Sequence, residues 1–552
     1  MPGPIIVQSD RTVLLETASD RFEEARDALT RFAELEKSPE HIHTYRITPL
    51  SLWNAAAAGM RPDEVTSLLE DLSRFPVPPI VTGDVAETMA RYGRLTLEKE
   101  EGGLILRAED ELLATEIEYQ EKVRPMLLGR ADRFTLLVDP RHRGAIKQAL
   151  LKVGHPVCDL AGYTAGTDLS IQLRFPGLSG LPWEARTYQK DAIRAFHADG
   201  SERGGNGAVV LPCGAGKTVV GILAMAAVGQ HTLILTTSVT ALRQWRTELL
   251  ERTELTDDQI GEYSGEVKAI RPVTLSTYQI LTYRRSKEDD FVHFGLFDRE
   301  EWGLVIYDEV HLLPAPVFRA TAEIQARRRL GLTATLVRED GREGDVFSLI
   351  GPKRFDVPWR VLERQGWIAE ALCTEVRVPF PDTDHRMEYA VASQRARFRL
   401  ASENPAKVPV LRDLLEEHRH DRVLVIGQYL DQLRVIADEI GAPIITGTTA
   451  SKRRDTLYEE FRQGEHGVLI VSKVANFAID LPDANVAVQV SGTFGSRQEE
   501  AQRLGRILRP KGGENVARFY TLVTQDTSEQ EFAAKRQLFL TEQGYQYSVR
   551  PA

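Results

Sequence analysis

The sequence has few cysteines, no long apolar segment and no overall excess of positive charge. Only three of its 552 residues are cysteines, Cys158, Cys213 and Cys373, and their spacing fits neither a zinc motif nor the four thiolates of an iron–sulfur cluster. No run of about 18 apolar residues predicts a transmembrane helix. The N-terminus lacks the basic start and apolar core of a signal peptide. These absences predict a reduced, cytoplasmic protein without a membrane span, a structural metal or an iron–sulfur cluster.

The formal net charge of −11 is unusual for a protein that binds nucleic acid. Its distribution matters more than its sum, because residues 1–130 hold 15 Lys and Arg against 24 Asp and Glu. A protein that grips phosphates locally needs basic side chains along one track, not a basic average. The acidic first part is therefore not expected to form such a track.

The chain is too long for a single hydrophobic core, which predicts several domains. From about residue 180, short apolar runs such as GAVVLP and WGLVIYDE alternate with helical stretches, and a second such series follows after a break. This alternation is typical of parallel sheets covered on both faces. We predict two α/β domains at 177–355 and 356–552. A small α/β segment at 126–176 and an accessory region at 1–125 precede them.

A glycine-rich loop lies between an apolar strand and a helix of the first α/β domain. Its residues are Leu211, Pro212, Cys213, Gly214, Ala215, Gly216, Lys217 and Thr218. Glycines let backbone amides approach a phosphate closely, and the start of the helix favours its negative charge. Lys217 would neutralise the β- and γ-phosphates of ATP, and Thr218 would ligate Mg²⁺. Leu211 stands where the strict pattern has glycine.

A pair of carboxylates follows the later apolar strand LVIY. Asp308 and Glu309 would lie at the C-terminal edge of a parallel sheet, where open α/β sheets bind their ligands. Asp308 would hold Mg²⁺, and Glu309 would polarise the attacking water. His311 could be a core histidine or could couple this site to another part of the protein.

Two further segments predict contacts with the nucleotide. Arg186 and Gln189 open a helix before the glycine-rich loop, and a glutamine carboxamide can pair with N6 and N7 of adenine. In the second domain, Gln502, Arg506 and Arg509 recur at helical spacing on one face. We interpret the two arginines as arginine fingers that reach the γ-phosphate. Asp480 would meet the ribose or the finger helix.

The motifs LPCGAGKT, DEVH, GLTATLVRED, SKVANFAIDLP and QRLGRILRP, in this order, resemble helicase superfamily two, and most specifically the XPB family. The resemblance runs from about residue 130 to the C-terminus. It implies two tandem RecA-like domains and an ATP-dependent 3′→5′ DNA helicase or translocase that uses ATP and Mg²⁺ in nucleotide excision repair. It also implies single-stranded DNA and junction or distorted duplex as partners, besides other repair proteins such as a nuclease.

The resemblance assigns further residues to DNA. Arg338, Glu339 and Asp340 match the family's RED motif, which is implicated in opening the duplex. Residues at about 384–404 match its thumb-like insertion, in which Arg395, Arg397 and Arg399 would face the DNA backbone. Residues 126–176 are similar to the family's damage-recognition domain. Phosphate contacts are expected at strand ends from Thr237, Ser276, Thr277 and Lys473, and such contacts position DNA without reading its sequence.

Three other functions remain open. The chain could be a double-strand translocase that strains DNA without unwinding it, or a nucleotide-switched repair scaffold whose hydrolysis is vestigial. Intact Lys217, Glu309, Arg506 and Arg509 argue against the scaffold. An RNA helicase is disfavoured only by the motif resemblance, and not by any physical property of the sequence.

Overall fold

A computed structural model describes the chain over residues 3–37, 41–100, 103–160, 166–200, 204–212, 214–283, 292–293, 296, 300–312, 328–334, 343–357, 359–472, 484–492, 516–542 and 547–552. The chain divides into two compact units, and the main boundary falls between Asp356 and Val357. Among the described residues, no helix is long and apolar enough to cross a bilayer.

The N-terminal region is an antiparallel sheet accompanied by helices. Its strands are β1 (Ile5–Val7), β2 (Thr12–Glu16), β3 (Glu34–Lys37) and β4 (Ile42–Arg46), in the order β1-β2-β4-β3. The helices are Phe22–Leu29, Pro49–Ala57, Pro62–Leu72 and Pro79–Ala90. Three of them begin with a proline, which the first helical turn tolerates because its amide positions need no partner within the helix.

A second sheet, with two helices packed on it, forms what we call the five-stranded module. Its strands are β5 (Leu95–Glu100), β6 (Gly103–Ala108), β7 (Leu127–Arg130), β8 (Thr135–Val138) and β9 (Val157–Asp159), in the order β7-β8-β6-β5-β9. The helices are Glu111–Tyr119 and Arg143–Lys152, and their apolar faces pack on the sheet through residues such as Leu113 and Ile146.

The module corrects one sequence-based boundary. A division at residue 125 would separate β5 and β6 from β7, β8 and β9, although hydrogen bonds join all five strands into one sheet. The sequence does not predict this pairing, because a strand's sequence does not say which distant strand it pairs with. The structure places the start of this sheet at Leu95.

The next sheet is entirely parallel and, with its helices, is called the first lobe. Its strands are β10 (Asn206–Val210), β11 (Thr232–Thr236), β12 (Ile260–Tyr263), β13 (Val273–Thr277), β14 (Leu304–Asp308), β15 (Arg328–Thr333) and β16 (Lys353–Asp356). Its helices are Thr187–His197, Lys217–Val228, Val239–Arg252, Tyr278–Leu281 and Glu343–Leu349. The central strands are buried almost throughout, as their continuous apolar sequences require.

The second lobe is also a parallel sheet. Its strands are β17 (Glu370–Val378), β18 (Val423–Gly427), β19 (Ile444–Ile445), β20 (Val468–Ser472), β21 (Val486–Gln489), β22 (Val516–Thr524) and β23 (Tyr547–Pro551). Its helices are Trp359–Arg364, Thr383–Val391, Gln394–Ser402, Lys407–Glu417, Leu430–Ile440, Ser451–Gln463 and Ser528–Glu542. We call the pair Thr383–Val391 and Gln394–Ser402 the thumb helices, since they fall where the sequence predicts a thumb-like insertion.

Both lobes have the same strand order. The first is β12-β13-β11-β14-β15-β10-β16 and the second is β19-β20-β18-β21-β22-β17-β23. Counted from each lobe's own first strand, both read 3-4-2-5-6-1-7. The prediction of two tandem parallel-sheet domains is confirmed, and the C-terminal edges of these sheets are where ligands are expected.

Candidate nucleotide site

The glycine-rich loop leaves β10 at the C-terminal edge of the first lobe and leads into the helix Lys217–Val228. Gly214 and Gly216 have left-handed backbone angles, with φ of 80° and 76°. Gly216 caps the helix, and a side chain there would be strained by the backbone and would meet Gln189. The loop therefore presents the first amides of a helix to a ligand, which is a favourable arrangement for a phosphate.

The structure explains why position 211 holds leucine where the strict pattern has glycine. Its side chain is fully buried in the core, and its backbone N–H donates to the carbonyl oxygen of Thr333 at 2.9 Å. The position therefore contributes an apolar side chain to the sheet. Loop closure is left to the residues that follow, where the Ala215 N–H donates to the Pro212 carbonyl at 3.2 Å.

The two carboxylates lie at the C-terminal end of β14, which is separated from β10 by the single strand β15. Asp308 is the last residue of β14, and Glu309 follows with φ of +51°, a left-handed conformation that is unfavourable for a glutamate. The Lys217 Nζ lies 3.3 Å from Glu309 Oε1. The structure thus brings together Lys217, Asp308 and Glu309, which the sequence places about ninety residues apart.

The two carboxyl groups differ in their electrostatics. Burial and the neighbouring Glu309 raise the pKa of Asp308 to about 6. Burial also opposes the ionisation of Glu309, but Lys217, and then His311, lower the pKa of Glu309 below its usual value. Glu309 is therefore ionised at neutral pH, as a group that accepts a proton must be.

His311 connects Glu309 to strand β15. Its Nδ1 lies 2.6 Å from Thr333 Oγ1 and 3.5 Å from Glu309 Oε2, and the imidazole is buried. Thr333 is the last residue of β15. Of the two interpretations of His311 that the sequence leaves open, this geometry favours coupling, because the ring joins two strand ends.

Sequence reasoning missed Trp245. Its indole Nε1–H donates to Asp308 Oδ2 at 2.9 Å and so orients this carboxylate. The ring packs over Gly221 so closely that a Cβ atom there would lie 2.4 Å from it. A tryptophan in an amphipathic helix is usually a core residue, so its sequence context does not indicate this role. Gly221, a glycine inside the helix Lys217–Val228, is a sequence signal that a large side chain packs there.

Gln189 is held by a local contact. Its Oε1 accepts the backbone N–H of Arg186 at 2.9 Å, which closes a capping box at the start of the helix Thr187–His197. Its Nε2 lies 3.5 Å from the carbonyl oxygen of Gly216, so the side chain touches the glycine-rich loop. Contact of Arg186 and Gln189 with adenine stays a prediction.

The donors at this site fit Mg²⁺. Thr218, in the first turn of its helix, and Asp308 offer hard oxygen atoms, and Mg²⁺ is commonly held by one or two such groups together with substrate phosphates. Glu309 Oε2 is buried without a hydrogen-bond partner among the described residues, which leaves an acceptor for a nucleophile. The described residues contain no cluster of three or more His, Cys, Asp or Glu able to hold a metal by themselves.

Several predicted site residues cannot be placed in space. They are Cys213, Arg338, Glu339, Asp340, Lys473, Asp480, Gln502, Arg506 and Arg509, and all lie outside the described residues. Their roles stay predictions from sequence.

Two of the residues predicted to contact DNA lie at the end of β13. Ser276 is fully buried and its hydroxyl donates to the Tyr263 carbonyl at 2.8 Å, whereas Thr277 is nearly buried and caps the short helix Tyr278–Leu281. They are the last two residues of β13, at a strand end as the sequence predicts, and their contact with a phosphate stays a prediction. Thr237 does follow the end of β11 and is half-buried, so its contact stays a prediction.

The three arginines of the thumb helices are exposed but not equivalent. Arg397 donates to the carbonyl oxygens of Tyr389 and Ala390 and so holds the two thumb helices together. Arg399 pairs with Glu403 at 2.6 Å and with Asp431 at 3.2 Å. Arg395 is therefore the member of the set whose charge is best placed to meet a phosphate.

Two parallel sheets of one topology, with a glycine-rich loop, a lysine and an acidic strand end on the first, define a RecA-like ATPase motor of helicase superfamily two. Comparison with known families agrees. A model described as ERCC3/RAD25/XPB C-terminal helicase matches residues 362–552. Models described as Type III restriction enzyme, res subunit, and Helicase conserved C-terminal domain match residues 183–338 and 5–132.

Curated relatives extend this similarity to the whole chain. The chain is 56% identical over 551 residues to "DNA 3'-5' helicase XPB" of Mycobacterium tuberculosis, covering 100% of this chain and 98% of the relative. It is 56% identical over 548 residues to the protein of the same name from Kineococcus radiotolerans, covering 99% and 96%. It is 31% identical to "General transcription and DNA repair factor IIH helicase/translocase subunit XPB/SSL2" of Saccharomyces cerevisiae, covering 99% and 71%. The chain belongs to the XPB family of helicases.

Proposed function

We propose that the chain is an ATP-dependent 3′→5′ DNA helicase that couples ATP hydrolysis to DNA opening in nucleotide excision repair. The observation that carries this proposal is the cluster of Lys217, Asp308 and Glu309 at the C-terminal edge of the first lobe, in a chain similar along its whole length to named DNA 3′–5′ helicases. The polarity and the repair role rest on the names of these relatives.

The site geometry supports a division of labour in hydrolysis. Lys217 neutralises the phosphates of bound ATP, and Thr218 and Asp308 hold Mg²⁺, which would neutralise charge that develops on the β- and γ-phosphate oxygens. Bound phosphates compete with Glu309 for Lys217, since the two side chains lie 3.3 Å apart. A triphosphate therefore frees Glu309 to orient water and accept its proton.

The remaining parts of the ATPase come from sequence. Arg506 and Arg509 act as arginine fingers, Gln502 and Asp480 contact the nucleotide, and Arg186 and Gln189 hold the adenine. Arginine fingers contribute about 10³–10⁵-fold to the rate in other nucleotide hydrolases. Arg509→Ala is accordingly expected to leave ATP binding intact while removing most of the DNA-stimulated hydrolysis.

DNA binds through its backbone in this proposal. Thr237, Lys473 and Arg395 contact phosphates, and the RED residues 338–340 act as the element that separates strands. The damage-recognition-like region 126–176, which supplies β7, β8 and β9 of the five-stranded module, responds to distorted DNA. Affinity is expected to vary little with sequence and to fall steeply with salt.

A double-strand translocase is the second candidate, because the yeast relative's name includes both helicase and translocase. A strand-displacement assay on duplexes with blocked ends separates the two. Other repair proteins such as a nuclease are proposed as partners. A reducing, cytoplasmic location is proposed from the three scattered cysteines alone.

The proposal is tested by ATP turnover measured side by side with single-stranded DNA, duplex DNA, RNA and no nucleic acid. We expect both DNAs to stimulate hydrolysis and RNA to do so weakly. Turnover that stays negligible with every nucleic acid would support the scaffold instead, and stimulation by RNA alone would make the chain an RNA helicase.

A further inference from the structure

A buried group of charges joins the five-stranded module to the first lobe. Asp159, at the end of β9, lies 2.6 Å from Arg143 Nη2, 2.6 Å from Lys147 Nζ and 3.3 Å from Arg329 Nη2. Arg143 and Lys147 belong to the module, whereas Arg329 belongs to β15. Although burial opposes its ionisation, the three cations lower the pKa of Asp159, so the carboxylate is charged.

Two neighbouring contacts reinforce this junction. Arg329 Nη1 donates to the Leu349 carbonyl oxygen at 2.7 Å, and Gln148 Nε2 donates to Asp345 Oδ1 at 2.9 Å. The Gln148–Asp345 bond ties the module's helix Arg143–Lys152 to the helix Glu343–Leu349 of the first lobe, and the two helices pack together, whereas the Arg329–Leu349 bond lies within the lobe. Arg329 thus binds one group in the module and one in the lobe.

Strand β15 runs from this junction to the hydrolysis site. It lies between β14 and β10, which carry Asp308 and the glycine-rich loop, and is hydrogen-bonded to both. Its last residue, Thr333, contacts His311 and accepts the amide of Leu211. Arg329 and Thr333 are four residues apart, about 13 Å in a strand. A displacement at Asp159 therefore acts on an element that is anchored at the catalytic edge.

The module also presents a surface that can meet DNA. Residues 122–134 expose the cations Lys122, Arg124 and Arg133 together with Leu128 and Phe134, which are 66% and 44% exposed. Cations bind the phosphate backbone, and large apolar side chains can enter between base steps of deformed DNA. Such a surface can transmit force to DNA only if the module is attached rigidly to the first lobe.

We propose that Arg329 is a positioning residue that mounts the five-stranded module rigidly on β15, so that the module and the hydrolysis site move as one body in each ATP cycle. This inference rests on the proposed helicase function. Helix packing and the Gln148–Asp345 bond alone would let the module yield and dissipate the stroke. With the ion pair between Asp159 and Arg329 in place, the module transmits the motion of the ATP cycle to DNA.

The chain offers a matched pair of variants. Arg329→Met and Lys147→Met each remove one cation from Asp159 and leave it two, but only Arg329→Met removes a bond between the module and the lobe. We expect Arg329→Met to keep its basal turnover and its KM for ATP, while strand displacement falls about tenfold, in the range of ordinary coupling between sites. The ATP consumed per base pair opened should rise in proportion. Lys147→Met should consume as much ATP per base pair opened as the wild type does. Arg329→Lys should recover part of the strand displacement that Arg329→Met loses.

The outcomes are separable. The proposal would be overturned if a folded Arg329→Met protein consumed as much ATP per base pair opened as the wild type. It would also be overturned if Lys147→Met lost as much strand displacement as Arg329→Met. If melting curves show that Arg329→Met does not fold, Gln148→Ala is tested instead, because it removes a second side-chain bond across the junction. It must show the same loss at smaller size, and unchanged coupling there also overturns the proposal. Failure of the helicase function itself is recognisable, because the wild type would then displace no strand.

Discussion

The two lobes share one strand order but use corresponding lysines differently. Lys217 begins the helix that follows the first strand of the first lobe, and Lys407 begins the helix that follows the first strand and the thumb helices of the second. Lys217 is 12% exposed and lies 3.3 Å from Glu309, whereas Lys407 is fully buried and lies 2.9 Å from both carboxylate oxygens of Glu529.

The surroundings of Lys407 repeat those of Lys217. Lys407 also donates to the carbonyl oxygens of Ser402 and Val490, and Val490 follows the end of β21 as Glu309 follows the end of β14. Thr524 ends β22 as Thr333 ends β15, and its amide donates to Glu529. The second lobe thus supplies its own carboxylate at the place where we propose that the first lobe binds phosphates. The shared topology therefore determines the position of each lysine in its lobe. The acidic partner, Glu309 or Glu529, determines whether the lysine can meet a ligand or is held in a buried ion pair.

The largest effect that separates the two lysines is expected from Lys217→Ala. This change removes the cation of the glycine-rich loop, and ATP turnover should fall by about 10³-fold, as for the loss of a principal charge-stabilising donor. The melting midpoint should change little, since Lys217 is not fully buried. Steady-state hydrolysis and thermal melts check both parts, and near-normal turnover would contradict the assignment.

Lys407→Ala should reverse this pattern. Glu529 would be left buried without its cation, which costs about 3–5 kcal/mol of stability in comparable pairs. The protein that remains folded should hydrolyse ATP, because no nucleotide contact is lost. Chemical denaturation measures the change. The double variant Lys407→Met with Glu529→Leu is the control, and it should recover much of the stability, whereas equal losses in single and double variants would contradict the paired role.

Trp245→Phe sharpens the comparison within the first lobe. The phenyl ring fills part of the space of the indole, although it lacks the distal Cη2 and Cζ3 atoms that contact Gly221, and it cannot donate a hydrogen bond to Asp308. Loss of such an orienting group typically costs about 10-fold or more in metal affinity. The dissociation constant of ATP should therefore worsen in the presence of Mg²⁺ and stay unchanged without it. An equal loss in both conditions would show that Trp245 acts only through packing.

The smallest effect concerns the thumb helices. Arg395→Ala should lower DNA affinity and reduce the slope of log K against log salt by about 1, as expected for one lost phosphate contact. Arg399→Ala should change the slope less, because Glu403 and Asp431 already neutralise this side chain. Binding titrations at several salt concentrations measure both. Equal slopes for the two variants would remove the distinction drawn between these arginines.

Sequence predicted those features that a contiguous segment encodes. The glycine-rich loop and the acidic strand end carry their chemistry in adjacent residues, and the alternation of apolar strands and helices predicted both lobes. Pairs such as Trp245 with Asp308, Asp159 with Arg329 and Lys407 with Glu529 join residues far apart, and no local pattern records them. Ser276 is polar and near a strand end but is buried, so residue type alone does not tell where such a side chain points.

The most direct test of the account is strand displacement on a duplex with a 3′ single-stranded tail, by the wild type and by Glu309→Gln. The account predicts that the wild type displaces the strand with ATP, and does so poorly from a 5′ tail. Glu309→Gln should bind ATP and DNA but displace nothing, since its carboxamide cannot accept the proton of the attacking water. Displacement by Glu309→Gln at the wild-type rate would contradict the claim that hydrolysis at this site drives DNA opening.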